Sequence, residues 1–400
     1  MTGAEAIAMT ERYQMGNYSR FPVTFVRGEG SRLYDDLGKE YLDFLGGIAV
    51  AVLGHAHPAV TRAIAEQAGR LVHVSNLFHV PVQARLGERL SAATTGGKVF
   101  FCNSGTEANE AAIKLVRRWA FDRGGEGRHG IVVLEGSFHG RTYGGLSATA
   151  QPKFHQGFEP MLPGFTTVPL GDLVALEAAL TDRVCAFFVE TIQGESGVRM
   201  HPPGYLEEAE ALCRKKGILL VADEIQTGMG RTGAFLSSAR FGIAPDVATL
   251  AKGIANGLPL GAVVARDEVA AAFAPGTHGS TFGGNPVCCA AALAVMDVLS
   301  SPGFHEDVAR KGERLQGGLR EIAATRTDIR TVRGLGLMVG VEMTCETKPV
   351  AARCLDAGLV VNAAAGNVLR FLPPLIVTDG EIDRALEILS AVLPAEGRKS

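Results

Sequence analysis

The chain of 400 residues is predicted to be an α/β protein, with a large, mostly parallel sheet domain and a smaller α+β domain built from both chain ends. Three observations predict this. From about residue 95 to 265, short apolar runs alternate with amphipathic segments, the pattern of βα units around a parallel sheet. Residues 25 to 45 instead alternate apolar and polar side chains between glycine turns, as a small antiparallel sheet does. After Pro286 the pattern changes again, to helices, then strands, then a last helix.

In chain order, Pro58 opens PAVTRAIAEQAGRLV as a first helical residue, where its missing N–H costs nothing. The central strands are expected at Lys98 to Cys102, Gly130 to Leu134, Val184 to Glu190, Gly217 to Asp223, Val247 to Ala251 and Gly261 to Ala265. Their unbroken apolarity implies cover on both faces. Apolar residues spaced three and four apart predict helices over Thr106 to Phe121, Leu173 to Leu180 and Tyr205 to Lys216. Beyond Pro286, helices are expected over Cys288 to Leu299 and Gly312 to Thr325, strands near Arg330 to Met343 and Asn367 to Leu372, and a helix from Asp379 to Leu393. Residues 58–286 would then form the large domain, and residues 1–57 with 287–400 the small one.

Composition narrows the function. Lys plus Arg total 39 and Asp plus Glu 42, so no charge excess asks for nucleic acid or an anionic membrane as partner. The amino terminus has no apolar signal region, and the longest apolar stretch, Phe44 to Leu53, is too short to span a bilayer. Seven scattered cysteines without a CxxC pair argue against a disulfide framework or a zinc cluster, and fit a reducing cytoplasm. Fifty glycines, well above the usual ~7%, point to tight turns or to backbone that approaches a ligand closely.

In open α/β sheets ligands bind beyond the carboxyl ends of the strands, and three such segments fit together. Asn103, Ser104, Gly105, Thr106 and Glu107 lead from KVFFC into a helix, where free amides and hydroxyls suit a phosphate. No GxxxxGK[ST] is present to make a nucleotide P-loop. Asp223 ends GILLVAD, a costly place for a carboxylate unless a cation pairs with it. Lys252 emerges from VATLA into a glycine-rich turn, where desolvation lowers its proton affinity and makes it a candidate Schiff-base nucleophile. Each feature also has a bland reading, as a helix cap, an ion pair or a surface lysine. Together they are the three attachments that pyridoxal phosphate needs.

These residues sit in motifs that span nearly the whole chain: NYSRFPV, GKEYLDFLGGIAVAVLGHAHP, NSGTEANE, SFHGRT, ADEIQTGMGRTG, TLAKGIANGLPLGA, HGSTFGGNP, RGLGLMVG and VLRFLPPL. In them the chain resembles the class III, ornithine-type aminotransferases of fold type I, and most closely those that act on acetylornithine in arginine biosynthesis. The resemblance implies that Lys252 carries pyridoxal 5'-phosphate and that Asp223 pairs with its pyridine nitrogen. It further implies that Glu224, Ile225 and Gln226 lie at the cofactor, with Gln226 at the phenolic oxygen. Ser104, Gly105 and Thr106 would hold the phosphate, and Phe138 would stack on the ring. In the family the threonine of HGST comes from the neighbouring subunit, so Thr281 would act across a homodimer interface, with Ser280 near the substrate.

Both the amino donor and 2-oxoglutarate carry carboxylates, which arginine grips bidentately. By the same resemblance Arg141 would bind the donor carboxylate and the distal carboxylate of 2-oxoglutarate, and Arg370 the α-carboxylate. Glu195 would gate Arg370, and Tyr18 would assist at the donor carboxylate. The implied reaction moves the ω-amino group of N2-acetylornithine to 2-oxoglutarate by a ping-pong route. Alternatives are ornithine, acetyl-lysine, carrier-linked lysine, succinylornithine or 4-aminobutyrate as donor, an aminomutase, a non-catalytic binder or, distantly, a nicotinamide-dependent oxidoreductase. One departure stands out: where the family often has Glu-Pro before Ile-Gln-Gly-Glu, this chain has Glu190 and Thr191, and Ser196 follows Glu195 where Gly is common. Thr191 frees a backbone donor and φ at the gate loop.

Other features read as structural. His55 and His57 have no third ligand at hand and are expected in a turn, so no metal is expected. Gly334, Gly336 and Gly340 lack the context of a dinucleotide fingerprint and are expected in a strand that packs closely. Cys288 and Cys289 are expected in the core.

Overall fold

The structure is a computed structural model that describes residues 1–394; the end of the expected small-domain segment, residues 395–400, lies outside the described residues. Its centre is a seven-stranded sheet of β1 (Lys98–Cys102), β2 (Gly130–Leu134), β3 (Phe165–Val168), β4 (Val184–Glu190), β5 (Leu219–Asp223), β6 (Val247–Leu250) and β7 (Gly261–Ala265), in the order β3-β2-β4-β5-β6-β7-β1. All pairings are parallel except those of β7, which runs antiparallel to both neighbours.

Alternation within the apolar runs explains why these segments are strands. Ile131, Val133, Ala186, Phe188, Leu219 and Val221 pack toward the helix Gly105–Asp122. Val132, Leu134, Phe187, Val189 and Leu220 pack on the opposite face, against Leu176, Tyr205, Leu206 and Ala209. Burial of about 25 cal/mol per Å² of apolar surface on both faces favours β-branched and aromatic runs here over amphipathic ones. The helix Gly105–Asp122 starts where Ser104 caps it, accepting a hydrogen bond from Glu107 N–H at 3.2 Å.

Both chain ends join in the smaller sheets, as expected. Phe25–Glu29, Arg32–Asp35 and Glu40–Asp43 form an antiparallel meander, and Leu359–Val360 adds to it in parallel. Ile329–Leu335, Met338–Met343, Val368–Phe371 and Asn362–Ala364 form a second sheet in that order. One core cluster ties these parts to the central sheet, joining Phe44, Leu53, Leu359 and Phe371 to Ala248, Leu250 and Ala262.

Several elements differ from expectation. The edge strand β3 escapes notice because Thr166 and Thr167 leave its apolar pattern weak. Helices Gly3–Tyr13, Pro81–Ala93 and Lys348–Asp356 are additional, and the helix expected from Gly312 begins at Phe304. β5 starts at Leu219 because Gly217 closes the preceding helix in the left-handed conformation, φ 61°. Gly334 and Gly340 lie in two neighbouring strands, with Gly336 in the turn between them rather than in one strand. His55 Nε2 lies 2.8 Å from Asp43 Oδ2. Gly336 packs on the backbone of Arg231 and Thr232, and Cys288 and Cys289 are buried. No single helix among the described residues is long and apolar enough to cross a membrane.

Candidate active site

The carboxyl ends of β1, β4, β5 and β6 open onto one cavity of about 230 Å³. Of the residues expected at the site, Gly105, Thr106, Phe138, Arg141, Glu195, Asp223, Ile225, Gln226 and Lys252 line it. Asn109, His139, Gly140 and Glu190 line it as well, and sequence reasoning assigned them no role.

Asp223 ends β5 almost fully buried, and the fold supplies three donors to it. Asn109 Nδ2 and His139 Nδ1 both reach Oδ2 at 2.8 Å, and Ile225 N–H donates to Oδ1 at 3.0 Å. Asn109 Nδ2 also donates to the His139 carbonyl at 2.7 Å, and Phe188 stacks on the imidazole at 4.3 Å. The signal for this cluster was present, since an Asn on the buried face of a helix and a His inside SFHGRT both need partners.

Glu190 ends β4 in register with Asp223, so two carboxyl groups stand side by side. Burial, and then the neighbouring Asp223, push the Glu190 carboxyl well above its ordinary range. Phe138 N–H donates to its Oε2 at 3.0 Å. Lys252 follows β6 in the left-handed region, φ 46°, a conformation that costs an L-residue about 1–2 kcal/mol. Burial lowers the proton affinity of its amine, partly opposed by Glu195. No carboxylate lies within salt-bridge distance of its Nζ among the described residues, so the amine faces the cavity without a fixed partner.

At the far end, Arg370 is buried and Glu195 is 29% exposed. Arg370 Nη1 donates to Glu195 Oε1 at 2.7 Å, to the Gly194 carbonyl at 3.0 Å and to Gln226 Oε1 at 3.2 Å. Gln226 Nε2 donates to Glu195 Oε1 at 3.1 Å. A Cβ at Gly194 would lie 2.1 Å from Gln226 Oε1, so a side chain here would push the amide from its present place. Although burial works against the charge, Arg370 and Lys252 hold the Glu195 carboxyl at about 2. The loop keeps this pair despite its departure from the family pattern; Thr191 is buried, and Ser196 Oγ donates to Gln193 Oε1 at 3.0 Å. Arg141 stands exposed at the rim over the Phe154 ring, 4.0 Å from its centre, with no carboxylate partner among the described residues.

Five of the expected residues fall elsewhere. Glu224 turns away from the cavity, accepting from Ser237 N–H, Ser238 N–H and Thr227 Oγ1, so it braces the turn after β5. Ser280 accepts from Asn103 Nδ2 and from Gly283 N–H. Thr281 and Tyr18 are exposed and do not line this chain's cavity. Ser104 sits just behind the rim as the helix cap.

The helix start tests whether a phosphate fits. Glu107 N–H is taken by Ser104 Oγ, while the amides of Gly105 and Thr106 have no acceptor among the described residues. The Thr106 hydroxyl is engaged by the amides of Arg141 and Thr142, which fastens the Phe138 loop to this helix. Two free amides at the positive end of an 18-residue helix, a buried carboxylate across the cavity and an unpaired lysine between them suit an anionic pyridine aldehyde. That combination defines a pyridoxal-phosphate enzyme on an α/β fold.

Comparison with known proteins narrows the class. A family model described as aminotransferase class-III matches residues 13–393. The acetylornithine aminotransferase of Caldanaerobacter subterraneus subsp. tengcongensis is 47% identical, over 97% of this chain and 98% of its own. That of Aquifex aeolicus is 48% identical, over 95% of this chain and 100% of its own. The crystal structure of the ornithine aminotransferase from Toxoplasma gondii ME49 superposes with a TM-score of 0.95 at 35% identity, covering 98% of this chain and 95% of that one. The chain belongs to the class-III aminotransferases, fold type I enzymes whose cofactor is pyridoxal 5'-phosphate.

Proposed function

We propose that the chain transfers the ω-amino group of N2-acetylornithine to 2-oxoglutarate, giving N-acetylglutamate 5-semialdehyde and glutamate in arginine biosynthesis. The relatives near 47% identity that bear the acetylornithine name support the donor. The observation that carries the two-substrate reading is the Arg370–Glu195 pair, a cation masked by a partly exposed carboxylate at one end of the cavity. A site that takes a mono-carboxylate donor and then a dicarboxylate acceptor needs a positive charge that is covered in one half-reaction and bare in the other.

In this reading Gly105 and Thr106 hold the phosphate through their amides, with Ser104 capping beside them. Phe138 and Ile225 hold the ring, Asp223 holds its nitrogen, and Gln226 meets the phenolic oxygen. Pyridoxal phosphate, when bound, supplies an aldehyde carbon for the amine and a ring that accepts electrons. Lys252 Nζ, desolvated and of low proton affinity, is the group that carries a proton to and from the reacting carbon. Arg141 binds the donor carboxylate and then the distal carboxylate of 2-oxoglutarate. Glu195 leaves Arg370 to admit the α-carboxylate.

The reading includes a homodimer with Thr281 and Ser280 serving the partner's site. Support comes from the exposure of Thr281 next to Phe282, Leu77 and Phe78, large apolar side chains left uncovered on this chain. A cytoplasmic location accords with seven free cysteines, six of them buried as thiols. A second reading, with ornithine as donor, is favoured by the TM-score of 0.95 to the Toxoplasma enzyme. Glutamate production from 2-oxoglutarate, compared by kcat/KM across acetylornithine, ornithine, acetyl-lysine, succinylornithine and 4-aminobutyrate, decides between them. Ornithine as the best donor would overturn the acetylornithine assignment.

A further inference from the structure

Arg370 lies in the middle of the sheet formed by Ile329–Leu335, Met338–Met343, Val368–Phe371 and Asn362–Ala364. Its direct partners across the two neighbouring strands are Gly340 and Asn362. Residues directly opposite in antiparallel strands point to the same face. Gly340 has no side chain and Arg333 stands one strand beyond it, so among the described residues Asn362 is the one side chain directly opposite Arg370 in this row. The register is set by the hairpin between the two strands, whose turn residues Ala365 and Gly366 both have positive φ, 50° and 83°.

The contact has a chemical consequence. Arg370 Nε donates to Asn362 Oδ1 at 3.2 Å, and Nη1 serves the three acceptors at the gate. Nη2 has no acceptor among the described residues. A guanidinium can grip a carboxylate bidentately by its Nε/Nη2 side or by its Nη1/Nη2 end. With Nε occupied, the end that carries the unengaged Nη2 is the side left for a carboxylate, and Glu195 is the one partner of Nη1 that is a partly exposed, charged side chain.

We propose that Asn362 is a positioning residue for the dicarboxylate half-reaction: it occupies Arg370 Nε and so presents the Nη1/Nη2 end to the α-carboxylate of 2-oxoglutarate once Glu195 withdraws. This rests on the role given to Arg370 above. Asn362 touches neither substrate nor cofactor; it acts through the plane of the guanidinium.

The test separates the two half-reactions of the holoenzyme by single-turnover absorption. Asn362→Ala is expected to raise the apparent dissociation constant for 2-oxoglutarate about tenfold, and that for the amino donor by less than about twofold, as for loss of one hydrogen bond to a charged group. Asn362→Asp puts a carboxylate against Arg370; it should weaken 2-oxoglutarate more than Ala does while melting no lower than Asn362→Ala. A merely structural Asn362 would instead weaken both substrates together and follow the melting temperature. Arg370→Lys is the control. If it weakens 2-oxoglutarate while Asn362→Ala does not, or while Asn362→Ala weakens both substrates equally, the role of Asn362 is overturned and that of Arg370 stands. If Arg370→Lys leaves 2-oxoglutarate binding unchanged, the reading beneath the proposal fails with it.

Discussion

At the Asp223 end of the cavity, a buried carboxylate receives donors from a helix, a loop and its own turn, and the two side-chain donors, Asn109 and His139, are buried as well. At the Arg370 end, one guanidinium nitrogen is shared among three acceptors, and its charged partner is 29% exposed. The first arrangement costs no reorganisation during reaction, which is how a fixed dipole stabilises developing charge. The second can exchange one carboxylate for another without baring Arg370 to a purely apolar surround, because Gly194, Gln226 and Asn362 remain. In the proposed reaction the first end would serve both half-reactions alike, and the second would distinguish them.

The largest effect falls on the lysine between the two ends. Lys252→Ala should abolish turnover and the visible absorption of the bound cofactor together; an enzyme that keeps both would remove the assignment. Next, Asp223→Ala should lower the rates of both half-reactions alike, on the order of 10²–10³. Slowing of only one half-reaction would break the contrast between a common end and a selective end. Glu195→Ala should act on selectivity, strengthening glutamate inhibition against the donor by about tenfold, since Arg370 is no longer masked. Unchanged inhibition would reject the gate.

Smaller effects sharpen the comparison. His139→Leu removes a donor to Asp223 and should slow both half-reactions by about tenfold, with the absorption spectrum shifted in its pH dependence. A normal pH profile would mean that Asn109 and the Ile225 amide suffice. The smallest effect is a null one. Because Arg370 and Lys252 hold the Glu195 carboxyl at about 2, glutamate inhibition should stay flat from about pH 5 to pH 8. With its folded value below the ordinary one, this carboxylate stabilises the fold above the usual carboxylate range, and that contribution is lost only as pH falls toward 2. Inhibition that strengthens on mild acidification would place the gate under proton control instead.

Much of the central sheet was legible because its strands are covered on both faces. VCAFFVE and LLVAD carry that burial in their composition. The edge strand FTTV carries little of it and was not seen. At the site the same contrast holds. Asp223, Lys252 and the Ser104–Thr106 cradle follow strands in sequence, so strand ends pointed to them. Asn109 and His139 reach Asp223 from 114 and 84 residues away, and no local pattern measures that distance. Glu224 adjoins Asp223 in sequence, yet it faces the other side of the turn, because successive side chains at a strand end diverge.

By itself the amino-acid sequence determined the α/β class, the strand ends where chemistry gathers, and the charged residue types that a cofactor and two acidic substrates require. These follow from local periodicity and from the cost of burying charge, which act within a few residues. Only the tertiary structure decided that Glu190 stands in register with Asp223, that Asn362 sits beside Arg370, and that Thr281 lies outside its own chain's cavity. Strand register and helix docking set those placements, and they depend on packing between residues far apart in the chain.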